Sequence, residues 1–390
     1  MKILMIAPEP FFQERGTPFS EFYRVKALTE LGHKVDMVTY PLGRDIGLNG
    51  LRIFRVAKLP YMKIIPVGPS LIKIPLDFLV FFKSLYLLIK NRYDLIHTHE
   101  EAGMMGVIFK ILFRKRHIYD MHSSLSEQFI NFNVTRNKIF LKIIEYFEKI
   151  MVKKSDCVIV ICDHLREVAR KLYRDVKVIV IDNTINPAFY DYFPKDVNEI
   201  DLGFCEGKKL ILYVGTFEYY QGIDIIIDAA RYIKENKSSE GVVIACIGGN
   251  TEQQNELRRI VGEKGVSDLF YISGRVSHIA ASKLIDRADI LLSPRKEGVN
   301  TPLKIYSYLY SGKPIVATNL LTHTQVLNDD VAVLCEPKGE EFGRAIIELL
   351  QDSKMSKRLG DSAKRYFEKK YAYDKYRELI KEAIDIAIGN

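Results

Sequence analysis

Short apolar runs recur along the whole chain, and they lack the polar alternation of strands that face water on one side. There are thirteen of them, from KILMIA at the N-terminus to VAVLCEP at 331–337, and longer segments of helical character separate them. Continuous apolar strands alternating with helices are typical of parallel sheets covered by helices on both faces. The pattern therefore predicts an α/β protein built from doubly wound parallel sheets.

The chain is long enough for two such sheets in series. Its 390 residues exceed the roughly 100–200 residues usual for one domain. An irregular segment with two prolines and two glycines separates the first seven runs from the last six. We predict an N-terminal domain at 1–185, a linker at 186–208, a C-terminal domain at 209–365 and a final helix at 366–390 that could cross back to the first domain.

Composition excludes several classes of protein. Hydrophobic residues make up 47% and charged residues 27% of the chain, as in ordinary soluble domains. The first apolar run stops at Pro8, which is too short for a signal peptide, and no run reaches the ~18 apolar residues of a membrane span. The cysteines form no Cys-x-x-Cys pair, so we expect reduced, buried thiols in a cytoplasmic protein and no zinc site. They are Cys157, Cys162, Cys205, Cys246 and Cys335.

The net charge of +8 is concentrated in the first half of the chain. Residues 1–185 hold 29 Lys and Arg against 19 Asp and Glu, whereas the remainder holds 28 against 30. Such asymmetry favours an anionic partner, which is a nucleic acid, a phosphorylated small molecule or a membrane surface, with a merely solvated surface as the alternative. We expect no nucleic-acid partner, because aromatic residues are not interleaved with the basic ones in a known motif.

The most informative motif is SPRKEGVNTPLKIYSYLYSG at 293–312. It predicts a strand end, a loop and a helix over Leu303–Ser311 that Gly312 terminates, with Asn300 or Thr301 as N-cap before Pro302. A helix N-terminus at the carboxyl end of a strand binds anions through its free amides. The candidate phosphate-binding and catalytic residues here are Arg295, Glu297, Asn300, Thr301, Leu303 and Lys304.

Other strand ends carry weaker signals of the same kind. Gly215 ends a strand, and the turn that follows offers Thr216 and Gln221. Gly16 and Thr17 precede a helix predicted to start near Phe19.

A histidine also lies at a predicted strand end. His122 ends the run RHIYDMH, at the edge of a parallel sheet where ligands bind, and His97 and His99 are weaker candidates at another strand end. The sequence has no Gly-x-Gly-x-x-Gly after its first strand, no Walker A motif and no Gly-x-Ser-x-Gly elbow. What remains is a site that holds phosphates without an obvious metal, which suits stabilisation of a departing nucleotide diphosphate.

Six segments of the chain occur in the same order as in a known protein family. They are GHKVDMVT at 32–39, DLIHTH at 94–99, the His122 strand, Asn183, IGG at 247–249 and SGKPIVAT at 311–318. In this order the chain resembles, over essentially its whole length, the retaining glycosyltransferases of family 4, whose GT-B fold has two Rossmann-like domains facing each other across a cleft. The resemblance implies a nucleotide-sugar donor, UDP- or GDP-linked, in the C-terminal domain, an acceptor in the N-terminal domain, and no bound metal or other cofactor.

The resemblance also assigns roles to individual residues. His122 would lie near the sugar and its phosphate, and Gly16 near the donor phosphates. With Lys304 and Glu297, His122 completes the candidate catalytic set. Further donor-binding positions are Thr17, Gly215, Gly248, Gly249, Arg275 and Ser307.

The sequence departs from the family pattern at its charged positions. The family has two glutamates separated by seven residues, but here the second position is Ser307 and the first is Val299, with Glu297 displaced by two. The family's Arg and Lys after the first C-domain strand are Thr216 and Gln221. Lys304 and Arg295 are the nearby cations left to replace them.

We therefore expect a metal-independent retaining glycosyltransferase acting on a glycan, lipid-linked or small-molecule acceptor, as in cell-envelope polysaccharide synthesis. The alternatives are a non-catalytic nucleotide-sugar or lipid-binding scaffold and a nucleotide-sugar epimerase. The apolar, lysine-containing stretch 71–90 and the basic cluster 114–116 are compatible with a peripheral position on the inner face of a membrane. A core helix is the alternative for 71–90.

Overall fold

The computed structural model describes residues 1–13, 16–60, 62–66, 68–131, 135–192 and 200–389. All thirteen predicted strands are present in it, and they form two sheets. The first sheet contains β1 (Lys2–Ala7), β2 (Lys34–Thr39), β3 (Leu51–Arg55), β4 (Leu95–His99), β5 (Arg116–Met121), β6 (Cys157–Val160) and β7 (Val178–Val180). The second contains β8 (Lys209–Val214), β9 (Val242–Ile247), β10 (Phe270–Ser273), β11 (Ile290–Ser293), β12 (Ile315–Thr318) and β13 (Val333–Cys335).

Both sheets are parallel and doubly wound. The strand orders are β3-β2-β1-β4-β5-β6-β7 and β10-β9-β8-β11-β12-β13. In each sheet the first strand in sequence therefore lies in the interior, the next two strands extend the sheet to one edge, and the remaining strands extend it to the other edge. Strands such as β9, in which every residue is buried, are apolar throughout because helices cover both faces of the sheet. The predicted α/β class is confirmed, and the carboxyl ends of all strands of a sheet meet at one edge.

Helices connect the strands. Those packed with the first sheet are α1 (Gly16–Glu30), α2 (Lys73–Lys90), α3 (Gly103–Phe113), α4 (Leu125–Asn131), α5 (Lys138–Lys154), α6 (Asp163–Leu172) and α14 (Tyr373–Ile388). Those of the second are α7 (Ile223–Glu235), α8 (Thr251–Glu263), α9 (His278–Arg287), α10 (Lys304–Ser311), α11 (Leu321–Thr324), α12 (Gly339–Gln351) and α13 (Ser353–Lys370).

Two predicted helix ends are confirmed and one predicted start is wrong. Gly32 and Gly312 have φ of 81° and 68°, the left-handed conformation in which glycine ends a helix. The first helix begins at Gly16, three residues before the predicted Phe19. Thr17 and Pro18 therefore lie in its first turn instead of preceding it.

The chain divides into two compact units. The first unit contains Met1–Thr184 together with the residues from Tyr373 on, and the second contains Ile185–Ala372. The last helix, α14, packs on α1, β5 and β6 of the first unit, where the Tyr373 hydroxyl donates to Glu30 at 2.7 Å. It begins at Tyr373, whereas the segment predicted to start at residue 366 begins inside α13. All five cysteines are free and buried, as predicted.

Candidate functional site

A lysine with a buried ammonium group lies at the carboxyl edge of the second sheet. Lys304 begins the short helix α10, and its Nζ atom lies 3.9 Å from the centroid of the Tyr213 ring in β8. The same atom would be 2.6 Å from a Cβ on Gly215, so the side chain reaches the end of β8. The Nζ atom is buried and has no hydrogen-bond partner among the described residues. Burial, followed by the charge of Arg295, lowers the pKa of Lys304 well below the usual value.

A second cation, the half-buried Arg295, follows β11. The Nη1 atom of Arg295 donates to the Asn300 carbonyl oxygen at 3.0 Å and to Thr322 Oγ1 at 3.1 Å. Its guanidinium lies 5.4 Å from the Tyr220 ring centroid, and its Nε atom is buried without an acceptor among the described residues. Burial lowers the pKa of Arg295. Neither Lys304 nor Arg295 is paired with a carboxylate among the described residues, and because a desolvated cation without a counter-charge is costly, two of them at one sheet edge point to an anionic ligand.

Glycines make room for these cations and the loops around them. A Cβ at Gly248, where φ is 137°, would lie 1.8 Å from the Gly215 carbonyl oxygen, and one at Gly249 would lie 2.5 Å from Phe217. A Cβ at Gly222 would meet the Pro294 carbonyl oxygen at 1.8 Å. Only glycine at these positions therefore allows the ends of β8 and β9 and the start of α7 to lie so close to the neighbouring backbone and side chains.

The start of α10 supplies backbone donors. The amides of Ile305 and Tyr306 donate to the carbonyls of Pro302 and Leu303, whereas those of Leu303 and Lys304 have no acceptor in the part of the chain that the structure describes. The predicted cap is wrong, because Leu303 occupies the N-cap position, no side chain caps the helix, and the buried Thr301 hydroxyl has no described partner. Without a cap, these donors remain available to a ligand.

The structure places only some of the other predicted donor-site residues at this edge of the sheet. The Tyr213 hydroxyl lies 2.7 Å from the Thr216 carbonyl oxygen, to which it donates, and 3.4 Å from Oε1 of the buried Gln221. Ser307 lies one turn along α10 from Lys304. Glu297 and Arg275 are exposed and make no hydrogen bond or ion pair within the described residues, so the structure does not bring them to the two cations.

Sequence reasoning missed His323, whose hydrogen bonds link the ends of strands β11 and β12 near Arg295. Its Nε2 atom accepts from the Ser293 hydroxyl at 2.8 Å, and its Nδ1 atom donates to the Thr318 carbonyl oxygen at 3.0 Å. Burial, assisted by Arg295, lowers its pKa to about 3, so the imidazole is neutral. No motif marks this histidine, since its partners lie at the ends of β11 and β12.

The corresponding edge of the first sheet carries a buried charge cluster centred on Asp120. Arg24 Nε and Nη2 donate to its two oxygens at 2.7 and 3.2 Å, and His122 Nε2 lies 3.2 Å from Oδ1. Burial alone would raise the pKa of Asp120, but Arg24 and then His122 outweigh it and hold the pKa well below the usual range. Burial opposes the charged form of His122 too, yet Asp120 leaves its pKa raised, so His122 is the histidine of this cluster best placed to carry a proton.

His97 and His99 complete the cluster as neutral rings. They stack with centroids 4.9 Å apart, and burial lowers the pKa of both. Their nitrogens and an Asp120 oxygen lie within 4.8 Å of one another, which is close enough to hold a metal ion. The group does not fit a divalent cation, because Arg24 already occupies that carboxylate with its own positive charge.

Further residues border this edge. Glu100 is half-buried, and desolvation of its carboxyl group raises its pKa to about 8. Ser20 of α1 donates to Asn183 Oδ1 at 2.6 Å, which joins the start of α1 to the segment after β7. Gly16 and Thr17 are the first residues of α1, but their side-chain environment lies outside what the structure describes, as does Arg15 altogether.

Two family models match the chain, one in each half. Residues 23–189 match the family described as Glycosyltransferase Family 4, and residues 195–366 match Glycosyl transferases group 1. An uncharacterised glycosyltransferase of Methanocaldococcus jannaschii is 23% identical over 93% of this chain and 91% of its own. The O-antigen chain mannosyltransferase C of Escherichia coli is 22% identical over 73% of each chain.

Solved structures share the fold at low sequence identity. The sucrose-phosphate synthase of Thermosynechococcus elongatus superimposes with a TM-score of 0.75 at 18% identity, covering 100% of this chain and 99% of the other. The Anabaena protein HepE, in a complex with UDP, has a TM-score of 0.73 at 16% identity and coverage of 99% and 100%. A further HepE structure contains UDP-glucose.

Proposed function

Because this chain belongs to the GT-B glycosyltransferases, we propose that it transfers a sugar from a nucleoside-diphosphate donor with retention of anomeric configuration. The second unit holds the UDP- or GDP-linked donor, and the first unit holds a glycan, lipid-linked or small-molecule acceptor. UDP and UDP-glucose in HepE and the mannosyltransferase among the relatives support this class of donor.

The observation that carries the proposal is a pair of cations that each have a buried nitrogen atom at one sheet edge. Lys304 Nζ and Arg295 Nε have no described acceptor, and the free amides at the start of α10 lie at the same strand ends. A diphosphate supplies the acceptors that all of these donors lack. The same contacts stabilise the charge that develops on the leaving group as the glycosidic bond breaks.

Retention requires no enzymic nucleophile in this proposal. The bond between the anomeric carbon and the phosphate oxygen breaks, and the acceptor oxygen bonds to that carbon on the same face. The acceptor's proton passes to the departing phosphate oxygen, whose remaining charge the two cations neutralise. Protonated His122 orients or stabilises the sugar side of the transition state.

We propose that the reaction needs no divalent metal at the diphosphate. In many nucleotide-sugar reactions a metal ion neutralises the leaving phosphates, and here Lys304 and Arg295 offer two positive charges for that task. The one group of three or more potential metal ligands among the described residues lies in the first unit, where Arg24 occupies its carboxylate.

Donor binding tests the proposal directly. Thermal unfolding is followed with a panel of UDP-, GDP- and ADP-sugars, each with and without EDTA, for the wild type and for Lys304→Ala. We expect stabilisation by one nucleotide class that is insensitive to EDTA and lost in the variant. Stabilisation that survives in Lys304→Ala, or that EDTA abolishes, contradicts the proposed phosphate contacts. Transfer is then measured with the donor so identified and a panel of acceptors.

One observation favours a second candidate, a scaffold that binds a nucleotide sugar without transferring it. Ser307 stands where the family has a glutamate, and Glu297 is exposed and forms no ion pair with either cation among the described residues. Tight donor binding with neither transfer nor hydrolysis across the acceptor panel would favour the scaffold. Isomerisation of the donor without any acceptor would instead indicate an epimerase.

A further inference from the structure

The outer side of α2 is apolar, although its inner side already packs on the first sheet. Leu76, Val80 and Leu87 face the core. On the other side, five large apolar residues recur at intervals of three or four, so they line one face of the helix. They are between 49% and 66% exposed: Ile74, Phe78, Phe82, Tyr86 and Ile89. The stretch predicted as either a core helix or a membrane-surface helix thus has one face suited to each.

The neighbouring helices extend this apolar surface. Phe81 of α2 stacks on Phe109 of α3 with centroids 4.9 Å apart, and Lys110 of α3 donates to the Lys154 carbonyl oxygen of α5 at 2.8 Å. The three helices therefore lie side by side. Further exposed apolar residues on α3 and α5 are Ile108, Ile111, Leu112, Ile139, Phe140, Ile143, Tyr146 and Phe147. We call the exposed apolar residues of α2, α3 and α5 the three-helix face.

Positive charge flanks the three-helix face. On α5, Lys138, Lys142 and Lys149 are exposed beside the apolar positions. On α2, the Lys83 ammonium lies 5.9 Å from the ring centroid of Tyr86. Arg114 and Arg116 are exposed just beyond the end of α3. Apolar side chains bordered by Lys and Arg are the pattern of helices that lie in the surface of an anionic bilayer.

We propose that the three-helix face docks on an anionic lipid membrane, with its aromatic and aliphatic side chains inserted among the acyl chains and its lysines on the headgroups. The proposal goes beyond the transfer reaction and does not depend on it. No helix among the described residues is long and apolar enough to cross a membrane, so the contact is with the surface.

The charge of the face favours lipid over a second copy of the chain. A twofold interface sets the same surface against itself, which would bring the lysines of α2 and α5 close to their own copies. Like charges that face each other across an interface are unfavourable, and lysine is depleted from interface cores. Anionic headgroups neutralise the same lysines without bringing like charges together and without burying lysine in a protein interface.

Vesicle binding tests the proposal on the full chain. Co-sedimentation is measured with vesicles of phosphatidylcholine alone and with equal parts of phosphatidylcholine and phosphatidylglycerol. We expect strong preference for the anionic vesicles. Phe78→Ser combined with Phe82→Ser should weaken binding at least tenfold, because each phenylalanine loses its apolar insertion. Combined Lys83→Gln, Lys142→Gln and Lys149→Gln should weaken binding to anionic vesicles by roughly fivefold for each charge removed.

Matched measurements separate the possible outcomes. Leu321→Ser, an exposed apolar residue of the second unit, should leave vesicle binding unchanged. The altered side chains are exposed or lie at the edge of the face, so thermal unfolding should match the wild type. If the phenylalanine variant fails to fold, the lysine variant still decides the question. Absence of binding to anionic vesicles, or binding that neither variant weakens, overturns the proposal.

Sedimentation velocity without lipid addresses the competing occupant. A dimer that the phenylalanine variant dissociates would assign the face to a second copy and overturn the proposal, whereas a monomer supports it. Donor-induced thermal stabilisation should be the same in wild type and variants. The lipid proposal can therefore fail while the transferase proposal stands, and the reverse also holds.

Discussion

The ammonium of Lys304 lies 3.9 Å from the centre of the Tyr213 ring, buried and without a hydrogen-bond acceptor among the described residues. The face of the aromatic ring offsets part of the cost of burying the charge, but a ring is a poorer partner than a carboxylate. No carboxylate is paired with Lys304 in the described residues, and after burial the strongest influence on its pKa is the charge of another cation, Arg295. The ammonium form of Lys304 is thus incompletely compensated in the unliganded protein, at the position proposed for the donor diphosphate.

Replacing this lysine should stabilise the unliganded protein while it destroys donor binding. Methionine keeps the length of the side chain and removes the charge, so Lys304→Met should raise the free energy of unfolding by about 1–3 kcal/mol. Thermal unfolding without ligand should shift upward by roughly 2–4 °C per kcal/mol, and the shift caused by the donor should disappear.

The control for this substitution is Lys283→Met on α9, where the lysine is exposed. Its stability should change by no more than about 0.5 kcal/mol, and donor binding should persist. A Lys304→Met protein that is less stable than the wild type would show that the ammonium is satisfied in the free protein, contrary to our interpretation.

Donor binding should be linked to uptake of a proton at alkaline pH. Burial lowers the pKa of Lys304 in the free protein, and a bound diphosphate would raise it again. Between the lowered pKa and the ordinary value of about 10.4, binding therefore takes up a proton and weakens as pH rises. Titration calorimetry at about pH 9, in buffers of different ionisation enthalpy, measures the uptake, and Lys304→Met should abolish it.

The same shift determines how stability without ligand depends on pH. In the range between the lowered pKa and the ordinary pKa of lysine, the unfolded chain binds a proton that the folded protein has released. The free energy of unfolding should therefore rise with pH across this range. A wild-type profile identical to that of Lys304→Met would contradict the lowered pKa.

Gly215→Ala should weaken donor binding without unfolding the second unit. The new Cβ would lie 2.6 Å from Lys304 Nζ and 2.7 Å from the Tyr213 hydroxyl, and the flexible end of the lysine is the part that can move. We expect donor affinity to fall about tenfold, by analogy with the loss of one charged hydrogen bond. Gly262→Ala on α8 is the control, because its Cβ meets only Ser267 Oγ at 3.8 Å. Equal donor affinities in the two variants would argue against this position for the lysine.

The sequence predicted the strands well and the site only in part, for physical reasons. A strand buried on both faces, such as β9, is marked by its own apolar composition. The charge cluster around Asp120 depends on Arg24, which the fold brings there from 96 residues away and which no local pattern marks. The expected cap at Asn300 or Thr301 is absent: the Asn300 carbonyl accepts from Arg295 and Thr322, the Thr301 hydroxyl has no partner among the described residues, and helix α10 begins at Lys304. Side-chain roles thus depend on contacts that are distant in sequence.

His122→Gln should slow transfer while it leaves donor affinity intact, because the diphosphate contacts proposed here belong to the second unit. Glutamine keeps a hydrogen-bonding side chain and removes the titratable charge, and we expect kcat to fall about a hundredfold. Asp120 raises the pKa of His122, so activity that needs the imidazolium should decline as pH rises through that raised value, and the decline should be absent in the variant. The stability that the ion pair of His122 and Asp120 contributes is present below the ordinary histidine pKa, and it is lost as pH rises through the raised pKa of His122.

The control is His164→Gln. This partly exposed histidine is paired with Glu127 on the same unit, and the variant should keep both kcat and its pH profile. If His122→Gln instead raised the KM for the donor and left kcat unchanged, His122 would be a donor-binding residue, and the role proposed for its charge in the transition state would be wrong.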